Sequence, residues 1–448
     1  MNYSVKLFVI GLLCTEALFA QKSAAPEQFQ LGNLLEPLGK LPIKTAEISA
    51  YMPAKKMLFV VGGEKFLEQV DLSDPSNPRK VGEFPVPGNA SSVTVHGNLL
   101  AVSVLSEPEW KLGHVQLMRF DDSLEVVEQY KDVCTQPDMI TFTPDGKTLL
   151  TACEGSPSNY FEANPIGAVG FISNASGKPE DWKNAKVTVT EFTGKNAKDI
   201  EPEYIAVSKD SKTAWVSLQE NNAIAKVDVK AKKIKNTFSL GEVDHSKPGF
   251  GLDRVKDGKI SIVNENIWSL RQPDGIATFS EKGKNYVITA NEGEELTTFE
   301  SDHPVIFGSR SISLFNGDTG ELLWDSGDAF EQMIAKLAPD YFNWNSKKGK
   351  KKVDARSDAK GCEPENVTVG VVNGRRYAFV GLERQSGIAV FDFTDVNAPK
   401  LVDYILDTSD RGPEGVLFID AADSPIPGQA LLIVGYEYSK NLTVYKVK

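Results

Sequence analysis

Two sets of carboxylates recur along this chain at fixed places around one short motif. The motif is a proline followed by an acid and then alternating apolar residues: QPDMITF from Gln136, EPEYIAV from Glu201, QPDGIAT from Gln272, EPENVTV from Glu363 and GPEGVLF from Gly412. It supplies Asp138, Glu203, Asp274, Glu365 and Glu414. A second apolar run follows each copy and leads into Glu154, Glu220, Glu292, Glu383 or Glu437. Carboxylates held close together repel and raise one another's pKa unless a cation neutralises them. Oxygen-only ligands suit calcium or another divalent cation. The metal candidates are Asp274, Glu292, Glu365 and Glu414, with Arg384 and Arg411 as counter-charges. The same acids have a purely structural reading, as caps on backbone N–H groups that lock neighbouring repeats together. That reading explains the run Glu292, Glu294, Glu295, Glu300 less well, because the other copies lack it.

Other chemistries find little support. His96, His114, His245 and His303 are scattered, and only His245 stands beside acids, Asp244 and Asp253. Zincin, nucleophile-elbow, dinucleotide, P-loop and EF-hand patterns are absent, so neither a nucleotide nor a haem is expected, and no catalytic residue can be named. Beyond Cys14, Cys134, Cys153 and Cys362 remain. An odd number leaves at least one free thiol, and whether Cys134 pairs with Cys153 stays open. Asn89, Asn174, Asn366 and Asn441 sit in Asn-x-Ser/Thr triplets, but Asn366 falls inside an expected strand, where a glycan has no room.

The elements that must position the acids are strands. Degenerate copies of the motif, AEISAYM from Ala46 and ASSVTVH from Ala90, bring the repeats to seven. Turns such as TPDGK and VVNGR follow the motif, and Asp-Gly or Asn-Gly between apolar runs signals a hairpin. The second runs, among them TLLTACE and ALLIVGY, are too continuously apolar for a half-solvated strand and suit burial on both faces. A third strand alternates, as in IAKVDV from Ile224 and IAVFDF from Ile388. A fourth follows, as in RKVGEF from Arg79 and KLVDYI from Lys400. Repeated four-stranded antiparallel units predict an all-β, seven-bladed β-propeller, with six or eight blades as the alternative. The last unit stops at its third strand near Tyr445, and an orphan strand, LLEPLGKLPI from Leu34, precedes the first. That strand is expected to join the last blade and close the ring, leaving no open edge.

In such a ring the loops entering first strands and leaving second strands share one face. The long insertions, residues 155–166, 240–271, 293–309 and 326–361, all fall there, as do the acids. A protein or small-molecule partner is expected on that face of a monomer. The net charge of −12 argues against nucleic acid. Residues 1–20 read as an export signal, with Lys6 before the apolar run LFVIGLLC, and residues 21–448 as one domain. No later segment reaches the roughly 18 apolar residues of a spanning helix. The mature chain is therefore expected outside the cytoplasm, either secreted or periplasmic.

The stretch from Asp354 to Pro399, DARSDAKGCEPENVTVGVVNGRRYAFVGLERQSGIAVFDFTDVNAP, resembles the choice-of-anchor I family, which includes a mesenchyme-specific cell-surface glycoprotein type. So do QPDGIATFSEKGKNYVITANEGE from Gln272 and the C-terminal run from Gly412. The resemblance implies an exported propeller of no settled activity. More distantly, it implies likeness to phytase-like and alkaline-phosphatase propellers. Asp274, Asn291, Glu292, Arg356, Asp358, Glu363, Glu365, Glu383, Arg384 and Glu414 fall on the shared motifs. Arg356, Asp358, Glu363, Glu383, Arg384 and Arg411 are the ligand-binding candidates. The chain departs from the family at LDRVKDG from Leu252, where acids thin to Asp253 and Asp257, and at Cys362, where the family tends to have proline. No separate anchor is expected after Lys448. Two functions follow: a secreted binding or scaffold propeller, or a metal-dependent phosphoester hydrolase using the same acidic face.

Overall fold

The structure, a computed structural model, describes residues 27–156, 164–194, 197–296 and 301–448; the expected export signal and Glu300 lie outside them. The chain is all-β and forms eight sheets. Seven are antiparallel and contain four strands, one of them gaining a fifth. Each sheet is built as the sequence implies. Second strands such as Met57–Val61, Thr148–Cys153 and Ala430–Tyr436 are buried at every residue. Fourth strands such as Arg79–Pro85 and Lys233–Ser239 are largely exposed. Apolar side chains of adjacent sheets interlock between them: Phe59 and Val61 of one pack with Val93, Leu100 and Val102 of the next. Each such fully buried aliphatic side chain contributes about 1.5–3 kcal/mol.

The first strands, which carry the acids, are Ile48–Met52, Asn89–His96, Pro137–Phe142, Pro202–Val207, Ile276–Glu281, Pro364–Val372 and Pro413–Ile419. Each lies against the next in this order, and Pro413–Ile419 lies against Ile48–Met52. Leu35–Pro42 pairs antiparallel with Asn441–Val447, Leu35 opposite Val447 and Pro42 opposite Asn441, as expected for the orphan strand. The seam is fixed by polar contacts as well. The Asp403 carboxylate accepts from Leu35 N at 2.8 Å and Gly32 N at 2.9 Å, and Lys40 pairs with buried Asp410.

Three features lie outside the repeat pattern. A short strand, Gln28–Gln30, adds to Lys400–Asp407. Glu242–Asp244, Trp268–Leu270 and Val305–Phe307 make a small eighth sheet from two of the long insertions. A third insertion holds the helix Ala329–Leu337, which buries Phe330, Met333 and Ile334. No helix of the described residues is long and apolar enough to cross a membrane. Cys134 and Cys153 form a disulfide, and Cys362 is free and buried. Asn174, Asn366 and Asn441 are all buried, which leaves no space for a glycan at those three triplets.

Candidate functional site

The Pro-acid motif is a backbone device. The residue before a proline is normally driven to extended conformations. Here Gln136, Gln272, Glu363 and Gly412 instead take φ of 46°, 48°, 53° and 70°. Non-glycine residues in that region carry strain of about 1 kcal/mol or more. The strain is held in place by one repeated hydrogen bond. Glu154, Gly293, Glu383 and Glu437 donate their N–H to the carbonyls of Gln136, Gln272, Glu363 and Gly412, at 3.0, 3.0, 2.7 and 2.7 Å. The ladder to the second strand then slips between Pro137 and Ile140, Pro202 and Ile205, Pro364 and Val367, and Pro413 and Val416. Such a bulge re-aims the side chains it contains, and each slip spans the acid of its motif. In the copies at Gln136, Glu363 and Gly412 one device thus re-aims Asp138, Glu365 and Glu414 and ties Glu154, Glu383 and Glu437 to the same turn. Gly275 is required beside it, since a Cβ there would sit 2.7 Å from the Glu365 carbonyl oxygen.

The acids converge in overlapping triads whose carboxylate oxygens lie within 4.8 Å of one another: Asp274, Glu292, Glu365; Glu292, Glu363, Glu383; and Glu383, Glu414, Glu437. Asp274, Glu365 and Glu414 also line, with Glu47 and Asp138, a cavity of about 230 Å³. Of the four metal candidates, Asp274, Glu292 and Glu365 share one triad, whereas Glu414 belongs to another and meets Asp274 and Glu365 along the cavity. Burial dominates their electrostatics, and mutual repulsion adds to it. Burial raises Asp138 to about 6. Burial and then Glu292 raise Asp274 to about 7, and burial and then Glu437 raise Glu47 to about 7. Glu154, Glu220 and Glu383 are pushed to about 8, by burial and then by Asp138, Glu201 and Glu363 respectively. Glu203, Glu365 and Glu414 lie well above the carboxylate range, for burial first and neighbouring acids second.

The counter-charge comes chiefly from a residue that sequence reasoning missed. Lys360 Nζ lies 2.5 Å from Glu292 Oε1, 3.4 Å from Glu294 Oε2 and 3.6 Å from Glu363 Oε2, and donates to Gly293 O at 2.6 Å. Burial works against its charge, but Glu292 and Glu363 outweigh burial and raise its pKa. Lys360 precedes the EPE motif by a short stretch in an insertion, outside the repeat, and its only signal was a lone lysine among acids.

Arg384 takes the expected place, 3.1 Å from Glu383 and 3.4 Å from Glu363. Arg356 pairs with Glu363. Arg411 departs from its expected role: among the described residues it forms no ion pair, and its guanidinium donates to Ser346 O at 2.8 Å. The reason is geometric, since its side chain reaches the 326–361 insertion instead. Asp358 faces outward to Lys256 at 3.0 Å. His245 is a core residue, bonded through its ring to Phe250 O and Ser269 Oγ at 2.7 Å each. The Asp253 carboxylate is already occupied by Val255 N and Ser261 N.

Several of the acids lack any such counter-charge among the described residues, and Glu365 is one of them. It is only 9% exposed, its Oε2 has no hydrogen-bond partner, and it forms no ion pair among the described residues. The donor set fits a hard divalent cation. Every ligand atom is oxygen, and two oxygens on one calcium lie at most about 5 Å apart.

The protein is thus an all-β repeat protein that gathers paired acids at the meeting point of its first strands. It belongs to the choice-of-anchor I family: the sequence model of the choice-of-anchor I domain matches residues 47–303 and 297–396. It is 36% identical over 104 residues to a "Mesenchyme-specific cell surface glycoprotein" of Strongylocentrotus purpuratus, covering 21% of this chain and 13% of that protein. It is 36% identical over 90 residues to "Gigasin-3a" of Magallana gigas, covering 19% of this chain and 32% of that protein. The matches therefore span a minor part of each relative's length.

Proposed function

We propose that this protein is an exported binding protein, a seven-bladed propeller whose channel mouth holds a divalent cation, calcium above others, through Asp274, Glu292, Glu365 and Glu414. The propeller reading is supported by the succession of first strands, which ends with the last lying on the first, and by the sheet that both chain ends share. Export is supported by the apolar N-terminal run, by the Cys134–Cys153 disulfide and by the cell-surface name of one relative. The observation that carries the cation reading is Glu365, a buried carboxylate without a counter-charge and with its Oε2 unpartnered, in a cavity lined by further acids. Such a group must keep a proton or acquire a cation. A partner or ligand would meet the rim at Arg356, Asp358, Arg384 and Arg411, with Glu363 and Glu383 buried behind Arg356 and Arg384.

Phosphoester hydrolysis is the weaker reading. It needs free cationic groups to stabilise developing negative charge. Arg356, Arg384 and Lys360 are instead committed to Glu363, Glu383 and Glu292, which leaves Arg411, itself donating to the Ser346 and Tyr438 carbonyls, as the one candidate cation outside an ion pair among the described residues. The test is a calorimetric titration of chelator-treated protein with calcium, magnesium and manganese, together with the metal content of the protein as purified. Calcium is expected to bind to wild type and at least tenfold more weakly to Glu292→Gln. Phosphomonoester and phosphodiester turnover is expected to be absent. Failure of all three metals to bind would overturn the cation reading, and metal-dependent turnover would restore the hydrolase.

A further inference from the structure

The acidic cavity does not end on acids. A second cavity of about 220 Å³ adjoins it and shares Ile48, Met139, Tyr204 and Asn366 as walls. Its remaining lining is mostly apolar and includes Ile276 and Val416. Met139 and Tyr204, which line both, are half-buried. One continuous space therefore has carboxylates at one end and hydrocarbon at the other. A bare metal ion would use only the first half. A neutral apolar molecule would leave Glu365 Oε2 without a partner.

We infer that this space binds an organic ammonium ion, a protonated primary amine on a short aliphatic chain. Its head would lie among Asp274, Glu365 and Glu414, and its chain would run along Met139, Tyr204 and Val416. The ammonium offers three donors and no acceptor, which complements the carboxylate oxygens of Asp274, Glu365 and Glu414. The Tyr204 ring and Met139 thioether suit the atoms next to a cationic head, through cation–π attraction and polarizability. The chain replaces water against the apolar wall, and each methylene that does so tightens binding several-fold. The inference deepens the cation reading above and rests on the same carboxylates being open to an external cation.

The experiment is calorimetric titration of chelator-treated, full-length protein at pH 8 with n-hexylammonium, ethylammonium, 1-hexanol and calcium, each separately, and with hexylammonium in the presence of calcium. Hexylammonium is expected to bind at one site, ethylammonium at least tenfold more weakly, and 1-hexanol without measurable heat. Calcium is expected to weaken hexylammonium binding, and Glu365→Gln to weaken it at least tenfold. Absence of hexylammonium binding overturns the inference. So does hexanol binding as tightly, which marks a merely apolar hole, or ethylammonium binding as tightly, which marks unselective cation exchange. The calcium arm separates the two readings: calcium binding without hexylammonium binding retires this inference and leaves the metal site standing, whereas the reverse retires the metal site alone. The alcohol, ethylammonium and calcium arms need no variant, so they decide the matter even if Glu365→Gln does not fold.

Discussion

At the scale of single residues, Lys360 sets the balance of the acidic cluster. It stands where two triads meet, at Glu292, and its ammonium does for the middle triad what an external cation would do for the first. Removing one partner from a buried ion pair leaves an uncompensated charge, at a cost of about 3 kcal/mol or more. Lys360→Met is therefore expected to lower the unfolding free energy by roughly that amount at pH 8. At pH 5 the loss should shrink, because the released carboxyls can take up protons. Equal destabilisation at both pH values, measured by denaturant unfolding, would show that Lys360 acts through packing. The acids themselves were legible in the sequence, because Asp274, Glu365 and Glu414 repeat one position of one motif. Lys360 was not, because it belongs to no repeat. Arg411 misled for the complementary reason: it adjoins the GPE motif, yet its long side chain is free to reach Ser346.

At the scale of elements, the loop that carries Lys360 is held by a second buried pair. Arg310 and Glu331 are each only 1% exposed and lie 2.5 Å apart. Arg310 also donates to the carbonyls of Ser357 and Ala359 at 2.8 Å, the two residues that lead into Lys360. The helix Ala329–Leu337 thus supplies, through Glu331, the anchor for a strut that ends in the acidic cluster. Arg310→Met is expected to destabilise the fold by about 3–5 kcal/mol. It should also tighten calcium binding, since Lys360 would no longer compete for Glu292 and Glu363; calcium affinity unchanged in a folded Arg310→Met protein would break the link between strut and site. The repeated strands were legible because the Pro-acid motif recurs, the second runs are continuously apolar, and some turns carry Asp-Gly or Asn-Gly. The helix, the small eighth sheet and the strand Gln28–Gln30 were not. Each occurs once, and the partners that stabilise it lie far away in sequence, as Gln28–Gln30 does from Lys400–Asp407.

At the scale of the whole molecule, an N-terminal and a C-terminal strand meet in one sheet, through the pairing of Leu35–Pro42 with Asn441–Val447. Removing residues 27–43 would expose that edge and the core around Leu35, and a loss of about 3 kcal/mol or more is expected; an unchanged melting temperature would place the strand outside the cooperative unit. The clustered acids give the molecule a second global property. Asp138 titrates at about 6, Asp274 and Glu47 at about 7, and Glu154, Glu220 and Glu383 at about 8, all above their ordinary values of 3.8 or 4.5. The folded state therefore holds protons that the unfolded state releases. The stabilisation from these groups is complete below about pH 4 and is lost as pH rises through about 8. A divalent cation bound to the folded state alone would replace those protons and return the stability by mass action. The most direct measurement is the melting temperature of chelator-treated protein from pH 5 to pH 8.5, with and without calcium. The melting temperature is expected to fall with pH in chelator, to recover in calcium at pH 8, and to be insensitive to calcium at pH 5. A curve that calcium leaves unchanged at every pH would contradict the account and make the ring of acids a purely structural lock.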